Sequence, residues 1–107
     1  MNFSKIDLDE THIRLTTDLE RHGLERFVLS IRNDLKNHIL KNKDFQLSFE
    51  PVDVDDDSPL IVRTMADSSR AADVGPMACV AGTISQMSLE YLTGMDSRYS
   101  IVENGCD

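Results

Sequence analysis

Leu24, Phe27, Val28, Ile31, Leu35 and Ile39 recur at spacings of three and four. This puts one apolar stripe along a helix from about Arg21 to Lys41. Such a helix is stable in water only when its stripe is covered, and 107 residues leave room for one small domain without a second independent core. Its other face is charged: Glu25 and Arg32 bracket the stripe, and Lys36, Lys41 and Lys43 gather near the end, where positive charge complements the helix dipole. Leu, Ile, Val and Phe supply 29 residues, about 27%, above the roughly 20% below which a charged chain stays disordered. A folded core is therefore expected.

The rest of the chain divides around that helix. The first ten residues read as polar and acidic. Thr11 to Thr17 alternates, with Ile13 and Leu15 on one face, as a half-buried strand does. Phe45, Leu47 and Phe49 alternate with Gln46 and Ser48, predicting a short extended segment that ends at Pro51. Asp53 to Ser58 holds four aspartates, and Ser58-Pro59 has the form of an N-cap followed by proline at the first helical position. A helix from Pro59 to about Asp73 would carry Ile61 and Met65 on one side, with Ala66, Ala71 and Ala72 permitting close approach. Val74-Gly75-Pro76 interrupts it, the glycine suiting a left-handed turn, and a second helix follows to about Thr93, with Gly94 just beyond its end. Val80, Ile84, Met87 and Tyr91 mark that helix's core face. Tyr99 to Glu103 reads as a strand, and Asn104-Gly105 as a hairpin turn.

Charge and motif spacing exclude several functions. Nineteen acidic against eleven basic residues give a net charge of −8, which repels phosphate backbones and anionic lipid, so neither nucleic acid nor a membrane surface is an expected partner. Met1 to Glu10 has no apolar run of the kind a signal peptide needs, and Pro76 to Met95 is too polar for an easy membrane span. A cytoplasmic location is expected, with Cys79 and Cys106 reduced. Asp53, Asp55 and Asp57 imitate the first ligands of a calcium loop, but Ser58 and Thr64 occupy the positions that need glycine and glutamate. His12, His22 and His38 lack metal-site spacing, and neither a phosphate-loop motif nor a nucleophile elbow is present.

Two features carry chemistry. Gly75-Pro76-Met77-Ala78 begins a helix, where free amides and the positive dipole end can hold a phosphate or carboxylate; a tight helix-to-helix turn is the plainer reading. Glu103-Asn104-Gly105-Cys106-Asp107 follows an apolar strand, where carboxylates and an amide on a turn can take a cation or polar ligand; an ordinary hairpin is the plainer reading.

Together, Val74-Gly75-Pro76-Met77-Ala78-Cys79-Val80-Ala81-Gly82 and Val102-Glu103-Asn104-Gly105-Cys106-Asp107 resemble an uncharacterised prokaryotic family of the ApbE-like, flavin transferase-like superfamily. The likeness runs through nearly the whole chain and corresponds to the amino-terminal half of that family. It implies an α+β fold, with helices packed on an antiparallel sheet as a partial ApbE-like (T-fold-like) domain. It also implies a ligand pocket near Gly75, Pro76, Met77, Ala78, Asn104 and Gly105, with Asp107 facing a metal, and FAD or FMN with magnesium as cofactors. Cys106 stands where the family has glycine, and the resemblance implies at that position either a strained backbone or a ligand approach blocked by a side chain. The transferases' catalytic positions lie largely in a second half, so flavin transfer by this chain alone is not expected, and its catalytic residues are unknown. The resulting expectation is an incomplete domain that binds a flavin or another phosphate-bearing ligand. The alternative is a non-catalytic interaction module that assembles through an exposed sheet edge, with itself or with a second chain that completes the sheet. A third reading, a shortened chain without function, predicts aggregation through that edge.

Overall fold

A computed structural model of the chain describes residues 1–105. Its chain order is β1 (Asn2–Leu8), β2 (Thr11–Thr17), α1 (Leu24–Lys41), α2 (Lys43–Leu47), α3 (Leu60–Ala72), a 3-10 turn (Pro76–Cys79), α4 (Val80–Gly94) and β3 (Ser100–Gly105). The strands form one antiparallel sheet in the order β1-β2-β3, with helices against one face, so the fold is α+β.

β2 lies at the centre because it pairs on both sides. Ile13 faces Ile6 of β1 and Asn104 of β3, and Leu15 faces Ser4 and Val102. Asp9, in the left-handed region at φ 52, closes the tight turn from β1 to β2. β1 is the strand that alternation of apolar residues fails to mark. Its inward positions are Asn2, Ser4, Ile6 and Leu8, and its one aromatic, Phe3, is 77% exposed on the other face. Asn104 and Gly105, expected to form a hairpin turn, instead extend β3, paired with Ile13 and His12. Pairing to a central strand uses their backbone groups in a ladder, which leaves no need for the turn conformation.

α1 begins at Leu24, whose N–H donates to His22 Nδ1 at 3.0 Å. The Tyr91 hydroxyl donates to the His22 carbonyl, and the Tyr91 ring stacks on Phe27 with centroids 4.4 Å apart, which fixes the start of α1 against α4. The expected strand at Phe45 to Phe49 is replaced by the one-turn helix α2. Phe45 is fully buried beside His38, while Leu47 and Phe49 are exposed at 69% and 94%. One anchored aromatic, and not an alternating face, positions this segment.

α3 starts one residue later than expected. Pro59 occupies the capping position, and Ser58 contributes its carbonyl, which accepts from Arg63 Nε at 2.8 Å. Asp73, at φ 55, makes the left-handed turn that ends α3, and the Val74 N–H donates to the Ser69 carbonyl at 3.0 Å. Gly75 therefore serves another purpose. Its φ is −70, and a Cβ there would overlap the Ser48 carbonyl oxygen. The second expected helix divides into the 3-10 turn and α4, and Gly94 falls within α4, with Asp96 at φ 65 beyond it.

The core joins Ile6, Ile13 and Leu15 of the sheet to Leu24, Val28, Ile31 and Leu35 of α1, Ile61, Val62 and Met65 of α3, and Ile84, Met87 and Leu92 of α4. The apolar stripe that made α1 legible is thus its buried face. Among the described residues no helix is long and apolar enough to cross a membrane.

Candidate functional site

Two segments distant in sequence meet where the end of the sheet touches the start of α4. Asn104 in β3 donates from Nδ2 to the Ala81 carbonyl at 3.2 Å. Beside that contact lies an open groove of about 580 Å3, lined by Met77 of the 3-10 turn and Asn104, with Thr11, Arg32, Leu35, Lys36, Ile39, Val80 and Ile84 among its other walls. α1 contributes one wall because residues three and four apart share a helix face, which brings Arg32, Leu35, Lys36 and Ile39 into one row.

Arg32 is 8% exposed, unusual for a charged residue, and its partners explain how burial is tolerated. Nη1 donates to Thr11 Oγ1, and Nη2 donates to Asp9 Oδ2 at 3.1 Å. Lys36 Nζ reaches the same Asp9 oxygen at 3.2 Å. These two cations hold the Asp9 carboxyl below its usual range, with the hydrogen bond and charge of Lys36 the leading causes and Arg32 adding to them. Lys43 and Glu10 also border the groove. The lining therefore carries three cations and one carboxylate over an apolar floor of Leu35, Ile39, Met77, Val80 and Ile84, in a chain whose net charge is −8. An apolar floor with a few convergent polar groups suits a small ligand with an apolar body and an anionic group.

A second cleft of similar volume lies on the outer face of the sheet, among Lys5, Asp7, His12, Arg14 and Glu103. His12 Nδ1 and Asp7 Oδ1 are 2.8 Å apart there. Its walls are mostly charged and exposed, without the apolar floor of the first groove.

The residues singled out by sequence fall in different places. Met77 and Asn104 line the groove together. Gly75 and Pro76 are buried, with Gly75 against the Ser48–Phe49 backbone, and Ala78 is exposed outside the groove lining. Within the bend, the Ala78 N–H donates to the Gly75 carbonyl at 3.2 Å, and the Val80 N–H donates to the Met77 carbonyl. Gly105 is paired in the sheet, while Cys106 and Asp107 lie outside the described residues. Among the described residues no three His, Cys, Asp or Glu side chains come together as a metal ion would require. Sequence reading did not place Arg32, Lys36 and Thr11 in a site. A signal existed in Arg32, which follows Val28 by four residues and so intrudes on the apolar stripe of α1.

The family described as AbpE bacteria matches residues 2–107. A UPF0280 protein of Methanobrevibacter smithii is 56% identical over 108 residues, covering 100% of this chain and 45% of its own length. UPF0280 proteins of Methanothermobacter thermautotrophicus and Methanococcus maripaludis are 52% and 42% identical, each covering 96% of this chain and 40% and 42% of their own lengths. The chain thus spans less than half the length of these relatives. The matches correct the resemblance to the ApbE-like, flavin transferase-like superfamily: the matching family carries a different designation, and none of these relatives is named a flavin transferase. By the match along residues 2–107, the chain belongs to the AbpE bacteria family.

Proposed function

We propose that the groove between α1 and α4 binds a small phosphate-bearing molecule with an apolar body, and that the chain supplies this binding to a longer protein without being catalytic alone. The observation that supports this reading is the local reversal of charge: Arg32, Lys36 and Lys43 against Glu10 and the shared Asp9, above an apolar floor, in an acidic chain. Arg32 and Lys36 already share Asp9, which orients them. A phosphate entering beside them would compete with one exposed carboxylate and gain charge-assisted hydrogen bonds. Met77, Val80 and Ile84 would cover a planar or aliphatic body, and Asn104 would offer an amide at the groove's far wall.

Flavin nucleotides provide a practical test, since riboflavin, FMN and FAD share a ring and differ in phosphate. Fluorescence titration, with and without magnesium, is expected to give saturable binding of FMN and FAD, with riboflavin at least about tenfold weaker, equivalent to ~1.4 kcal/mol. The double variant Lys36→Glu, Lys43→Glu should remove the preference for phosphate. Equal binding of FMN and riboflavin, or no saturation with any of the three, would refute the reading.

A further inference from the structure

We infer that the outer edge of β3 is a docking edge for a strand from the part of the family's longer chain that lies beyond the matched segment. Among the described residues the helices lie on one face of the sheet, and β3 pairs with β2 on one side. On the opposite face, strand register aligns Phe3, Thr16 and Ile101 in one row and Lys5, Arg14 and Glu103 in the next. Phe3 is 77% and Ile101 42% exposed, and a shallow cleft of about 440 Å3 runs between these rows. Phe3 and Ile101 flank Thr16 on this wet face, and the apolar surface they leave is one that burial would stabilise.

The two edges differ. Sheet edges are commonly protected by lysine, proline or a bulge. β1 carries Lys5 at its middle, whereas β3, Ser-Ile-Val-Glu-Asn-Gly, has neither lysine nor proline. The occupant follows from length: more than half of each relative named above lies outside its match to this chain, ample for further strands. A second copy of this chain is a poorer occupant, because each copy carries a net charge of −8 and two copies approaching one another repel.

Hydrogen exchange tests the inference on intact proteins. The β3 amides directed away from β2 should exchange at least about a hundredfold faster in this chain than the equivalent amides in the full-length Methanobrevibacter smithii relative. Joining this chain to that relative's remaining segment should restore protection, and Ile101→Asp in the joined protein should reduce it again. Equal exchange in this chain and the full-length relative would overturn the inference. So would protection of β3 in this chain alone that rises with concentration, because a second copy would then be the occupant. Should the joined protein fail to fold, the comparison with the full-length relative still decides.

Discussion

Gly75 and Gly82 make opposite demands although both lie in the segment from the bend into α4. At Gly75 a Cβ would overlap the Ser48 carbonyl oxygen and come within 3.1 Å of the Phe49 Cα, both backbone atoms that cannot swing aside. Gly75→Ala is expected to cost roughly 2–4 kcal/mol, in the range of overpacking that forces backbone movement. At Gly82, which is exposed within α4, nothing lies within 4 Å of the added atom. Gly82→Ala should stabilise by about 0.5–1 kcal/mol, because alanine loses less backbone entropy in a helix. Urea denaturation of the pair checks both signs. A third residue-scale prediction concerns Arg32, whose removal takes the donor from buried Thr11 and leaves Asp9 paired, among the described residues, with Lys36. Arg32→Ala is expected to cost about 1–3 kcal/mol in the same measurement. The glycine at position 75 was legible as necessary, but its reason was not. Sequence suggests a left-handed turn, while Asp73 makes that turn and Gly75 admits the neighbouring backbone.

At the scale of elements, the long stripe of α1 could be read because helix period and burial agree over eighteen residues. Short segments could not, since one tertiary contact outweighs their local pattern. Phe45 shows this: its burial beside His38 sets α2, and the alternation with Leu47 and Phe49 buries nothing. β1 hid for the converse reason, because its best strand-forming side chain, Phe3, faces outward. The packing of α1 on α2 also gives a pH dependence. Burial near Phe45 pushes the His38 imidazole below its usual range, partly opposed by the Asp55 charge. The folded state then binds fewer protons at this residue than the unfolded state, whose value is about 6.5. Its contribution is complete above that pH, declines as pH falls through it, and levels off below the folded value. Urea midpoints measured from pH 8 to pH 5 should fall, and His38→Gln should flatten that part of the curve. Asp9 and Asp18 act lower. Lys36 and Arg32 depress the first, and hydrogen bonds from Ser97 and the Arg98 amide depress the second, so their stabilising effect is lost only as pH drops through the acid range.

For the whole molecule, charge organisation connects the fold to the groove. Sequence showed the excess of acid and its concentration after Val52, but it could not show that Arg32, Lys36 and Lys43 converge, because convergence depends on α1 crossing the end of the sheet beside α4. Likewise the pairing of Met77 with Asn104 in one groove needs β3 to run past Asn104 as a strand beside α4, not to turn back at it. On the proposed reading, phosphate held among these cations would change the stability of the entire fold. A ligand that binds only the folded chain at about a hundred times its dissociation constant raises stability by ~2.7 kcal/mol. FMN is therefore expected to shift the urea midpoint upward and riboflavin to shift it less. Salt separates this effect from apolar contact: screening shortens from about 10 Å at 0.1 M to about 3 Å at 1 M, so the difference between FMN and riboflavin should shrink as sodium chloride rises. The ring's own contribution should hold or increase. A difference that survives 1 M salt unchanged would place the phosphate outside the groove's cations, whatever the affinity of the ring.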